Sequence, residues 1–358
     1  MTDSVFIIAE AGVNHGGELD QALLLVDAAA DAGADAVKFQ TFKAAELVTA
    51  NAAKASYQIT NTRDAGSQLA MLKGLELSHA DHVRLVSRCR ERNILFMSTA
   101  FDPASLVLLS TFDVPALKIA SGDITAGRLL LQTARLRRLM IVSTGMATLG
   151  DIERALGVIA FGLVSSAEPR GSADFAAAYQ SAEGQSALRA TVRLLHCTTE
   201  YPAPPASINL LAMDTMRAAF GLPVGYSDHT MGIVVAIAAV ARGASVIEKH
   251  LTLDRTLPGP DHAASLEPIE FARLVEAIRT TEIALGLPLK GPQPDEIANR
   301  VVARRSLVAA RDVQKGEIFA PGLLDEKRPG VGRSPLDYWD VLGRPAGRDY
   351  AKDEALDV

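Results

Sequence analysis

Eight times along this chain a short apolar run of strand length gives way to a stretch with helical spacing. The first run covers residues 5–12, and Leu19, Leu23, Val26 and Ala30 then recur at the steps of one helix face. Further runs occupy residues 36–42, 94–101, 116–123, 140–146, 192–199, 223–230 and 246–252, and a last helical pattern covers 268–285. Repeated β-then-α units require a parallel sheet with right-handed crossovers. Eight of them without a break favour closure into a barrel over an open doubly wound sheet. The expected fold class is therefore α/β, a (β/α)8 TIM barrel spanning residues 1–285.

Two segments depart from the rhythm. Residues 43–77 read as a long loop with one short helix. Residues 165–191, rich in Ala, Ser and Gly, read as a partly helical surface insertion. A Pro- and Gly-rich linker is expected at 286–298. Beyond it, residues 299–358 form a small, turn-rich domain with no long helix, marginal in size for independent stability.

Composition narrows the function. The 358 residues carry a formal net charge of −6, a poor balance for a protein that must neutralise nucleic-acid phosphates. No apolar run approaches the ~20 residues that span a bilayer, so neither nucleic acid nor membrane is an expected partner. The start of the chain lacks a basic-then-apolar signal pattern. The 2 cysteines, Cys89 and Cys197, suit a reducing compartment. The expected location is cytoplasmic.

In a parallel barrel the C-terminal strand ends face the substrate, so polar residues there stand out. Glu10 lies on the first strand and Lys38 on the second. Lys118, Ser121 and Asp123 lie on the fourth, Ser143 on the fifth, and His196 on the sixth with Tyr201 just beyond. Ser227 and His229 lie on the seventh, and His250 on the eighth. Each has a bland reading alone: a helix cap, a snorkelling lysine, a hydrogen-bonded core histidine. Together they do not, because burying so many charges without function costs several kcal/mol apiece, roughly, unless they are paired. Lys38, Lys118, Ser121 and Ser143 suit phosphate and carboxylate oxygens. His229 and His250, on adjacent strands, can share an open divalent ion. Glu10 and Asp123 are the carboxylates available for proton transfer.

The ordered motifs resemble the sialic acid synthase family. They are residues 8–17 (IAEAGVNHGG), 37–41 (VKFQT), 118–122 (KIASG), 143–146 (STGM), 227–230 (SDHT), 248–250 (EKH) and 258–262 (PGPDH). Residues 304–307, 313–317 and 327–330 resemble that family's antifreeze-like SAF domain, a β-clip fold. The resemblance implies condensation of phosphoenolpyruvate with an N-acetylated amino-sugar aldehyde and water, releasing phosphate. With N-acetylmannosamine the product is the nine-carbon N-acetylneuraminate. A 2,4-diacetamido-2,4,6-trideoxy-hexose, giving legionaminic acid, is the alternative acceptor. It also implies a divalent cofactor, Mn2+ or Mg2+, on His229 and His250. Lys38, Lys118, Ser121, Ser143 and Ser227 match phosphoenolpyruvate-binding positions, and Asn61 matches another. Glu10, Tyr201 and Asp261 match positions around the sugar. Asp123 stands where an acidic residue helps to activate water, although some relatives have Glu there. Thr199 stands where some have Asn, and Phe39 where some have His. Arg305 matches an arginine that crosses from the SAF domain into a partner's barrel, which implies a domain-swapped homodimer. Two other classes compete. A metal-free Schiff-base aldolase would use Lys118 or Lys38. An ice-binding module would need a flat uncharged face, against which the charge density after residue 300 argues.

Overall fold

The computed structural model describes residues 4–64 and 66–357. The chain divides into two compact units, residues 1–286 and 287–358. In the first, eight parallel strands close into a barrel in sequence order. They are β1 (Phe6–Gly12), β2 (Ala36–Thr41), β3 (Leu95–Ala100), β4 (Leu117–Ile119), β5 (Met140–Ser143), β6 (Val192–Cys197), β7 (Val224–Asp228) and β8 (Val246–His250). β1 closes the ring against β8, with Glu10 opposite His250. Every expected strand run is present, each trimmed at one or both ends. The fourth is trimmed most: it stops at Ile119, and Ser121–Asp123 turns into a 3-10 helix.

Alternation along the strands sorts the side chains. Outward residues such as Ile7, Val37, Ile119, Val142 and Ile247 join the large core beneath the helices. Inward residues Ile8, Ala36, Met97, Ala116, Ile141, Leu195 and Val246 form a separate apolar plug that fills the barrel floor. On β7 the inward place belongs to Gly225. A Cβ there would lie 2.4 Å from the Val246 carbonyl and 2.7 Å from Leu195 Cδ2, so the plug leaves no room for a side chain.

Two segments hold more helix than the spacing predicts. Residues 43–77 contain three short helices, Ala44–Leu47, Ser56–Thr62 and Gln68–Lys73, rather than one. Helices of one or two turns carry too few residues to display a period. The 165–191 segment forms helices Ser172–Gln180 and Ala182–Thr191. Its Phe175 ring meets Phe161 of helix Leu149–Val164 edge-on, with centroids 5.5 Å apart, so the insertion is packed against the barrel shell.

The second unit opens with helix Pro294–Ala303, which begins inside the segment expected as linker and departs from the expectation of no long helix. It has an antiparallel pair, β9 (Ser306–Ala309) and β10 (Leu324–Lys327). Leu307, Val313, Phe319, Leu324, Tyr350 and Leu356 belong to its own small core. No helix among the described residues is long and apolar enough to cross a membrane.

Candidate active site

The site follows from counting two residues up each strand from the apolar plug. That step reaches Glu10, Lys38, Thr99, Lys118, Ser143, Cys197, Ser227 and Glu248, and all of them line one cavity of about 220 Å³ at the strands' C-terminal end. A second step along β2, β6, β7 and β8 reaches Gln40, Thr199, His229 and His250, which line the same cavity. The barrel therefore changes from an oily floor to an ionic layer within one period.

That ionic layer is a closed network. Lys38 Nζ is ion-paired with Glu10, donates to Thr99 Oγ1 at 3.1 Å and lies 3.6 Å from Glu248. Lys118 Nζ donates to Ser143 Oγ at 2.7 Å and lies 3.6 Å from the other Glu248 oxygen. Ser227 Oγ donates to Glu248 at 2.9 Å. Environment pulls the two carboxylates apart. Burial drives Glu10 up to about 7, with Lys38 opposing and Glu248 reinforcing. Burial acts on Glu248 in the same direction, but Lys118 and Lys38 outweigh it and hold that group at about 2. Burial also works against the Lys38 charge, yet Glu10 and Glu248 keep that ammonium above its ordinary value. Lys118 is lowered, chiefly by burial and against the pull of Glu248.

Above this layer stand the two imidazoles, with ring centroids 5.5 Å apart at 62°. His229 Nδ1 lies 2.6 Å from the Thr198 carbonyl, which assigns the proton to Nδ1 and leaves Nε2 unprotonated, 3.4 Å from Ser227 Oγ. His250 Nδ1 is buried without a hydrogen-bond partner. Burial lowers His229 to about 4 and His250 well below its usual value, so both are neutral, as metal ligands must be. Tyr201 stacks on His229 at 4.2 Å and meets the edge of His250 at 5.5 Å. Among the described residues no group of three or more His, Cys, Asp or Glu has metal-holding geometry. An ion at this pair would take its remaining ligands from water and substrate.

The rim brings in residues from loops. Asp261 lines the cavity and is raised to about 7 by burial against the pull of Lys38. Ser121 accepts the Gly145 N–H at 3.0 Å and touches Cys197 Sγ at 3.0 Å. Thr199 Oγ1 is buried and unpartnered beside them. Three of the residues matched through the family resemblance stand outside the cavity lining. The Asn61 amide donates to the carbonyls of Pro260 at 2.8 Å and Tyr201 at 3.3 Å, so it ties the helix over the site to the rim. Asp123 has a buried, unpartnered Oδ2 and is raised to about 6, by burial opposed by Lys118. Arg305 belongs to the second unit, just before β9, and is exposed. His196 is used structurally, its Nε2 lying 2.6 Å from the Ile208 carbonyl.

Glu248 stands in the motif 248–250 but carries no expected role there, and Thr99 and Cys197 are not among the sequence candidates. Glu248 sits in the triplet Glu248-Lys249-His250, where alternation alone separates an inward Glu and His from an outward Lys. Counting from the plug identifies all three.

A closed (β/α)8 barrel whose mouth carries paired lysines, carboxylates of split acidity and two neutral histidines is the framework of an enzyme. Known proteins agree. Residues 25–290 match the NeuB family and residues 304–357 match the SAF domain; the chain belongs to the NeuB family. The N,N'-diacetyllegionaminic acid synthase of Campylobacter jejuni is 45% identical, over 98% of this chain and 98% of its own length. Human N-acetylneuraminate-9-phosphate synthase is 32% identical over 98% and 91%. The crystal structure of the N-acetylneuraminic acid (sialic acid) synthetase of Leptospira borgpetersenii in complex with citrate matches with a TM-score of 0.68 and 36% identity. That match covers 83% of this chain and 90% of that one.

Proposed function

We propose that this enzyme condenses phosphoenolpyruvate with an N-acetylated amino-sugar aldehyde and water, giving a nine-carbon 2-keto sugar acid and phosphate. The observation that carries the reading is the Lys38–Glu10–Glu248–Lys118 layer beneath His229 and His250. Two buried ammonium groups, with Ser121, Ser143 and Ser227 hydroxyls around them, suit a substrate bearing both a phosphate and a carboxylate. Bond formation joins C3 of phosphoenolpyruvate to the aldehyde carbon and turns the aldehyde oxygen into a hydroxyl. Glu10, raised to about 7, can hold the proton that oxygen takes up. Water then adds at C2, and phosphate leaves with its bridging oxygen. Asp123, raised to about 6, is the carboxylate we assign to the water's proton. His229 and His250 would hold Mn2+ or Mg2+, whose contribution when bound is to polarise the aldehyde as a Lewis acid.

Higher identity to the diacetyllegionaminic acid synthase than to the N-acetylneuraminic acid synthetase, 45% against 36%, favours the 2,4-diacetamido-2,4,6-trideoxy-hexose as acceptor; N-acetylmannosamine is the second choice. We also propose the domain-swapped homodimer, with Arg305 serving the partner's sugar site. A cytoplasmic location is part of the same reading, suited by two buried free thiols.

The test is phosphate release from phosphoenolpyruvate with each aldehyde, with Mn2+ and after chelation. Release with one aldehyde that stops on chelation and returns with Mn2+ is the expected outcome. No release with any amino-sugar aldehyde rejects the reaction, and full activity after exhaustive chelation rejects the metal. The lowered Lys118 would also suit a Schiff-base aldolase. In our reading borohydride with pyruvate leaves the chain unlabelled.

A further inference from the structure

Outward strand residues meet the helix shell, and Ala9, Val37, Ile119, Val142, Leu194 and Ile247 all lie in that apolar core. Between β7 and β8 the same shell holds a charge pair. Asp228 and Lys249 have side chains 0% exposed and are direct cross-strand partners. Lys249 Nζ donates to Asp228 Oδ2 at 2.8 Å and to the Thr230 carbonyl. Asp228 Oδ1 accepts from the Tyr226 hydroxyl at 3.1 Å. It also accepts from the Thr230 N–H at 2.9 Å and the Thr230 hydroxyl at 2.8 Å.

Such a pair is a poor stabiliser, since apolar residues of similar volume often serve as well or better. What it supplies is geometry. Residues 228 and 230 are clamped on either side of His229, and the clamping lysine immediately precedes His250. On the inner face, the Ser227–Glu248 hydrogen bond ties the same two strands one register step earlier. β7 and β8 are thus fastened on both faces directly below the imidazoles. A slip of either strand by one residue would turn its imidazole out of the cavity.

We infer that the Asp228–Lys249 pair is a positioning device that sets the spacing of His229 and His250 before any ligand arrives. Its purpose rests on the metal reading above, and the experiment separates the two. The double replacement Asp228→Asn with Lys249→Met removes both charges at similar volume, keeps an oxygen for the Tyr226 and Thr230 donors and leaves no buried ion stranded. Lys249→Arg is the second variant, keeping the charge on a differently shaped head. Mn2+ is titrated into each metal-free protein and the free ion is followed by its electron paramagnetic resonance signal, with thermal unfolding in parallel. Both variants should unfold near the wild-type temperature yet bind Mn2+ on the order of tenfold more weakly, as when outer partners of metal ligands are lost. Wild-type Mn2+ affinity in either folded variant overturns the inference. His229→Ala is the control for the metal reading, which fails if the wild type binds no more Mn2+ than this variant. Positioning is then judged from the imidazole nitrogen resonances of His229 and His250 in metal-free protein. Shifts in the double variant sustain it, and unchanged resonances overturn it.

Discussion

Glu248 faces both lysines of the cavity, and Glu248→Gln isolates its charge. The amide oxygen can still accept the Ser227 hydroxyl, so shape and hydrogen bonding are kept. Lys38 and Lys118 each stand 3.6 Å from a Glu248 oxygen. At an effective dielectric near 20, each pair attracts by about 4–5 kcal/mol. Against that total of about 9 kcal/mol stands the several kcal/mol spent desolvating the carboxylate. The net destabilisation on neutralising it should therefore be about 3–5 kcal/mol, the range seen when a buried pair loses one member. Urea unfolding at neutral pH followed by far-ultraviolet circular dichroism measures it. Tryptophan fluorescence would not, because the single tryptophan, Trp339, is exposed and lies in the second unit. A loss below about 1 kcal/mol, the scale of an exposed ion pair, would refute the picture of two desolvated ammonium groups held by one carboxylate.

Four further outcomes follow from the site. Asp261 is raised from 3.8 to about 7, so between those values the folded protein keeps a proton that the unfolded chain releases, and stability falls as pH rises. Asp261→Asn should therefore gain on the wild type by up to about 4 kcal/mol between pH 4 and pH 8, at 1.36 kcal/mol per unit; parallel stability curves would contradict the assignment. His229→Ala and His250→Ala should each abolish turnover and weaken Mn2+ binding with the fold intact, checked by titration and circular dichroism. Gly145→Ala would put a Cβ 2.4 Å from Thr199 Oγ1, 2.8 Å from Ser121 Oγ and 3.0 Å from Cys197 Sγ. It should lower stability by about 1–3 kcal/mol and raise the phosphoenolpyruvate KM, both read from unfolding and steady-state kinetics. Arg305→Ala should raise the sugar KM far more than that of phosphoenolpyruvate, and equal effects would reject the cross-subunit role.

The barrel was legible because eight apolar runs at strand length leave few other ways to bury themselves. His229, His250, Lys38 and Lys118 were legible because polar side chains at strand ends are rare without a reason. Glu248 was harder to see: in Glu248-Lys249-His250 three polar residues stand together, and only the inward-outward alternation of a closed barrel tells which two share the cavity. The helices of the 43–77 segment were missed because each is too short to show a period. Asn61 matches a family position, but the engagement of its amide with two carbonyls across the rim, 140 and 199 residues away along the chain, was not legible.

What the amino-acid order determined alone was the run of parallel units, the sign and type of groups at each strand end, and kinship with a family of sugar-acid synthases. Those follow from local periodicity and short motifs. Tertiary structure decided which groups interact and what acidity each has. Glu10 and Glu248 are the same residue type with the same ordinary value, yet one is raised to about 7 and the other held at about 2. The difference comes from distances to two lysines set by barrel closure, and such distances are a property of the folded ring rather than of any segment within it.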